Sequence, residues 1–197
     1  MITYTNRKGV TYFLGRGVTK TGKTRYLFAR EPKGEPVEEI PEGYEIRESV
    51  NGVVSLVKAQ PVLLREAEIQ AVKTAVRRHP RAKRFRVEAR ARQITVYERE
   101  REDPRDVMRE IAARWGIPTL YEEQLAGFET EEVARGNFAP VLRFTLTDDT
   151  KRRFLAERMC YRGPSDHWII ISFNEPIEKL ARTLIPVLGS DEFFELY

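Results

Sequence analysis

The chain has 197 residues, 41% of them hydrophobic and 32% charged, enough apolar material for a real core in one large domain or a domain with a small module. A lone Cys160 rules out an internal disulfide, and two histidines with one cysteine are too few for a structural zinc site, so no metal or cofactor is expected. Net charge is only +4, no stretch approaches the roughly 20 apolar residues that cross a bilayer, and MITYTNRKGV lacks an apolar signal run, which together point to the cytoplasm.

Arg and Glu are preferred over Lys and Asp, a bias found in heat-adapted or GC-rich sources. Distribution of charge says more than the sum. Residues 1–30 carry Arg7, Lys8, Arg16, Lys20, Lys23, Arg25 and Arg30 with no carboxylate, whereas 31–48 hold seven glutamates against Lys33 and Arg47. A second basic block runs from Arg77 to Arg101, with ten cations against Glu88, Glu98 and Glu100, and a second acidic run spans Glu122 to Glu132. Alternating signs of this kind mean either a polarised surface or internal neutralisation.

In chain order, Ile2 to Lys58 reads as short alternating segments separated by turn residues. ITYT and VTYFL flank Arg7-Lys8-Gly9, a Gly-rich turn leads into TRYLFAR, and YEIRE and VVSLVK flank Val50-Asn51-Gly52. Asn-Gly between alternating runs is a strong hairpin signal, so a module of four or five strands is expected over 1–60, ended by Pro61. The rest, 61–197, is expected to form an α+β domain. From Val62 to Arg78, Leu64, Ile69, Val72 and Val76 fall at helical spacing, with Ala67, Ala71 and Ala75 beside them, and Pro80 stops the helix. Phe85, Val87 and Ala89, then Ile94 and Val96, alternate with polar residues as a hairpin turning over Arg90 to Gln93. Asp103 as N-cap, Pro104 and the stripe Val107, Met108, Ile111, Ala112 and Trp115 predict a further helix, completing α-β-β-α.

Residues 119–137 have no clean period and read as a long connection. Strands are expected at Val141–Thr147, Arg153–Tyr161 and His167–Phe173, with Gly163-Pro164-Ser165 turning between the last two, although Phe154, Leu155, Arg158 and Met159 also suit a helical period. A last helix opens at Glu175-Pro176 and carries Ile177, Leu180, Ala181, Leu184 and Ile185, and FFELY is expected to tuck onto the core. The fold class is therefore α+β: a small N-terminal all-β module, then an α-β-β-α and β-β-β-α body with an antiparallel sheet.

Three patterns bear on chemistry. Gly17 to Thr24, GVTKTGKT, fits the phosphate-loop pattern G-x-x-x-x-G-K-[ST], but such a loop must leave a buried strand and open a helix, and RYLFAREP instead alternates and meets a proline. It is read as a basic hairpin turn. Cys160 and His167 bracket a tight turn with Asp166 adjacent, a weak candidate for a base-assisted thiolate, since buried cysteines usually serve packing. Basic residues interleaved with Tyr4, Tyr12, Phe13, Tyr26 and Phe28 suit a β surface that neutralises phosphates. The leading expectation is a non-enzymatic protein that binds an RNA or DNA backbone through Lys20, Lys23, Arg25, Arg84, Arg86, Arg90 and Arg92. The alternative is a protein-interaction or self-assembly module that docks through its opposite-signed blocks.

Overall fold

A computed structural model describes residues 1–100, 114, 137–161 and 166–196. The fold is mixed α+β with antiparallel sheets. Its described residues form two compact units, one from 1–60 and the other from 61–100 with 138–196.

The first unit is all β. Strand β1 (Thr3–Thr5) and the two-residue β4 (Glu35–Pro36) pair along one edge of β2 (Thr11–Val18), and β3 (Thr24–Ala29) pairs along the other. A second ladder joins β5 (Tyr44–Glu48) to β6 (Val54–Lys58). Alternation along β2 and β3 sends Leu14 and Phe28 inward, where Val37 and Val54 meet them and Tyr4, Tyr12, Tyr26, Ile46 and Leu56 close the sides. Gly15 is required where β2 passes the 33–35 turn, because any Cβ there would overlap the Lys33 carbonyl. Asn6, 5% exposed, ties two hairpins together: its Nδ2 donates to Gly52 O at 2.6 Å while its Oδ1 accepts from Lys8 N and Val10 N, each at 3.0 Å.

The second unit is a five-stranded antiparallel meander in the order β11-β10-β9-β8-β7, comprising β7 (Phe85–Arg90), β8 (Gln93–Arg99), β9 (Phe138–Asp148), β10 (Arg153–Cys160) and β11 (His167–Glu175). One face presents Phe85, Ile94, Val96, Leu142, Phe144, Leu146, Phe154 and Ala156. Against it pack Ile69, Val72 and Val76 of α1 (Glu66–Arg78) and Ile177, Leu180, Ala181 and Leu184 of α2 (Ile177–Leu184). Phe193 of α3 (Asp191–Glu195) joins this core, so the apolar tail does fold back. In RRFLAERM, Arg152 closes the turn and Arg153 to Met159 lie in strand β10. Phe154 and Ala156 fill the period-two face of the sheet, and tertiary packing overrides the helical spacing of Phe154, Leu155, Arg158 and Met159.

The first helix begins at Glu66 rather than Val62, since Arg65 caps it and Leu63 N instead donates to Ala91 O at 2.8 Å. Glu68 reaches back to accept from Arg65 N at 2.8 Å, the return arm of a capping box. Among the described residues no helix is long and apolar enough to cross a membrane. The predicted helix from Asp103, the 119–136 connection and the Gly163–Ser165 turn lie outside the described residues.

Candidate nucleic-acid interface

Three hairpin turns of the first unit share one chemistry. In Asn6–Val10, Thr19–Lys23 and Ser49–Val53, the first residue's N–H donates to the fifth residue's carbonyl at 2.9 Å, and a glycine in fourth place donates back to the first carbonyl, also at 2.9 Å. Gly9, Gly22 and Gly52 sit at φ of 74°, 78° and 76°, a region costly for residues with a Cβ. The leading side chain accepts from the fifth N–H each time: Asn6 Oδ1 at 3.0 Å, Thr19 Oγ1 at 3.1 Å and Ser49 Oγ at 3.1 Å. A polar residue three places before glycine is thus a turn signal repeated along the module. It explains the phosphate-loop match physically. Gly17 and Val18 finish β2, Thr19–Lys23 is the turn, and Thr24 starts β3, so the literal motif is spent on a hairpin with no helix N-terminus behind it.

This hairpin carries free positive charge. Residues 16–30 contain Arg16, Lys20, Lys23, Arg25 and Arg30 without a carboxylate. Arg16 is bound to Glu35, through Nε at 3.0 Å and Nη2 at 2.6 Å. Lys20, Lys23 and Arg25 are exposed and form no ion pair among the described residues. Register pairs Val18 with Thr24 and Gly17 with Arg25, and Val18 is 74% exposed, so the ribbon's end stands clear of the module's core. Its aromatic Tyr26 is turned elsewhere, its ring 5.7 Å from that of Tyr44.

The glutamates of the following acidic segment divide. Glu35 neutralises Arg16, and Glu48 accepts from Tyr4 Oη at 3.1 Å, Arg7 N at 3.1 Å and Arg7 Nε at 2.6 Å. Burial would raise the Glu48 carboxyl, but these donors more than compensate and hold it below its ordinary value.

In the second unit the arginines are mostly engaged within the sheet. The opposite face of the sheet aligns Glu88, Thr95, Arg143 and Glu157 as successive cross-strand partners. Arg143 forms a fork to Glu157 at 2.8 and 2.9 Å and lies 4.2 Å from the Trp168 ring centroid. Arg90 pairs with Glu88 at 2.6 Å, and Tyr97 Oη donates to the same carboxylate at 3.0 Å. Burial, then the Glu88 charge, pushes the Tyr97 hydroxyl up to about 12. Arg84 sits 3.3 Å from Glu98, and Arg86 donates to the Lys83 and Phe85 carbonyls and stacks 5.0 Å from the Phe138 ring. Of the four predicted here, Arg92 is exposed and forms no ion pair among the described residues. It occupies a two-residue turn with Ala91 at φ 43°, a conformation normally left to Gly or Asn. The carbonyls of Ala91 and Arg92 accept from Leu63 N and Leu146 N at 2.8 Å, and these tertiary bonds hold the strained turn.

Cys160 and His167 are cross-strand partners at the end of the β10–β11 ladder, the cysteine half-buried and the histidine exposed. Register alone makes them neighbours, as it does any terminal pair of a ladder. No protein-family model matches the chain, and neither a curated protein nor a solved structure shows significant similarity to it.

Proposed function

We propose that this protein binds the phosphate backbone of a nucleic acid, RNA or DNA, without catalysing a reaction, and that the β2–β3 hairpin is the contact element. The observation that carries this reading is the trio Lys20, Lys23 and Arg25 on an exposed ribbon, with no ion pair among the described residues. Cations that must first break an internal ion pair gain less from phosphate, so Arg84 and Arg90 contribute less than their positions in the sequence suggest; Arg86 would have to leave the Lys83 and Phe85 carbonyls, while Arg92 is available. The test is fluorescence anisotropy with short labelled RNA and DNA at low salt. The reading expects the Lys20→Glu, Lys23→Glu, Arg25→Glu variant to lose at least tenfold in affinity with its thermal unfolding unchanged, and Arg90→Glu to lose less. Equal losses, or no binding by the wild type, contradict it.

A second reading, docking of another copy of the chain, has its own support. Among the described residues β11 pairs only with β10, and its Ile170 and Phe173 are 57% and 68% exposed, an apolar edge open to strand addition. Sedimentation at two salt concentrations, with Ile170→Lys and Phe173→Lys as variants, separates the two: concentration-dependent dimers abolished by these changes favour docking.

A further inference from the structure

Between α1 and α2 lies a groove of about 490 Å³, within the roughly 300–1,000 Å³ typical of small-molecule sites. The apolar part of its walls is short or ring-shaped, Ala71 and Ala75 from α1, Ala181 from α2, and Pro80 and Pro186 where the chain leaves the helices, with Gln70 and Thr74 of α1 beside them. Alanines at the helix–helix seam leave open the space that leucines would fill. His79 forms part of the lining and is largely buried. It is 7% exposed and its Nδ1 accepts from Arg81 N at 3.0 Å.

Charge at the rim is one-sided. Arg78 ends α1 and Arg182 lies in the last turn of α2; both line the groove, both are exposed, and neither forms an ion pair among the described residues. Helix C-termini carry about half a negative charge each, so part of this charge complements the two dipoles. Two full guanidinium charges exceed that by about one unit, which the Glu178 carboxylate balances over the groove as a whole, so the positive charge is local to the end where Arg78 and Arg182 stand. Glu178, the groove's one carboxylate, stands four residues before Arg182, one turn back along α2, and forms no ion pair with it among the described residues.

We infer that this groove binds a small amphiphile, an apolar chain or ring lying along the alanines with a carboxylate or similar anionic head held by Arg78 and Arg182. The site is independent of the nucleic-acid reading, since it shares no residue with the basic hairpins.

The probe is decanoate, with decan-1-ol and decyltrimethylammonium as neutral and cationic counterparts, titrated into the full chain and followed by calorimetry and amide chemical shifts. Decanoate is expected to bind saturably, at least tenfold tighter than the alcohol and tighter still than the cation, with shifts centred on residues 71–80 and 178–186. Ala75→Leu and Ala181→Leu, which fill the groove from opposite walls, should each abolish binding. Arg78→Glu with Arg182→Glu, at exposed positions that leave the core intact, should remove the preference for decanoate over decanol. The inference is overturned if the three probes bind alike, if decanoate does not bind, or if a folded filling variant binds it as the wild type does.

Discussion

Replacing Glu68 tests how the second unit is held together. Glu68 is 4% exposed in the first turn of α1, and it accepts from Arg65 N at 2.8 Å and from Arg152 Nε and Nη2 at 2.7 and 2.5 Å. Arg152 stands in the β9–β10 turn at φ 50°, also donates to Leu63 O at 3.1 Å and pairs with Asp149. This one guanidinium fastens a sheet turn to the start of a helix 84 residues away in sequence. Removing one partner of a buried pair costs about 3–5 kcal/mol, and since Arg152 keeps Asp149 as a counter-charge, Glu68→Gln should cost about 3 kcal/mol. With a urea slope of about 1–3 kcal/mol/M for a unit of this size, the midpoint should fall by about 1–3 M at unchanged slope. Glu68→Met combined with Arg152→Met removes both charges together and should recover most of the loss. A Glu68→Gln midpoint within about 0.2 M of wild type, at unchanged slope, would refute the clamp. Acid should act through the same group. Burial pushes the Glu68 carboxyl up, yet the Arg152 and Arg65 donors bring it below its ordinary value of 4.5. Its contribution is therefore complete above pH 4.5 and is lost as pH falls through the lower folded value, a loss that Glu68→Gln should not show.

Further outcomes follow from the turns and the buried histidine. Asn6→Ala leaves Gly52 O and two backbone donors without their partner in a buried site and should destabilise the first unit by about 2–3 kcal/mol, whereas Thr19→Ala in the same kind of turn, but exposed, should cost less than about 1 kcal/mol by thermal unfolding. Gly15→Ala, with a Cβ that would overlap the Lys33 carbonyl, should leave the first unit unfolded by amide exchange while the second unit's sheet stays protected. Burial, and then the Arg81 charge, depress the His79 imidazole below its ordinary 6.5, so its neutral form is stabilising above pH 6.5 and that stability is lost as pH falls through the folded value. His79→Gln should flatten the unfolding free energy of the second unit across that interval.

Much of the fold was legible because alternation and spacing are local. The ladders β5–β6 and β7–β8 and the buried stripes of α1 and α2 follow from residues two, three or four apart. RRFLAERM satisfied both periods, and only the sheet beside it decides the outcome. The shared hairpin turn escaped notice because its signal is a polar residue and a glycine three apart, spread over three different leading residues. The candidate site was read less completely. A run of arginines looks alike whether free or paired, and the carboxylates that engage Arg84 and Arg143 lie far away in sequence: Glu98 is 14 residues from Arg84, and Glu157 is 14 from Arg143. Sequence spacing placed the charge but could not show which cations the sheet had already neutralised.

The most direct test of the hairpin as a phosphate-binding ribbon is the slope of log affinity against log salt for a short oligonucleotide. Three phosphates neutralised by Lys20, Lys23 and Arg25 predict a slope of about −2 to −3 for the wild type, collapsing toward zero in the Lys20→Glu, Lys23→Glu, Arg25→Glu variant. A wild-type slope near zero, or a variant with an undiminished slope, would contradict the assignment.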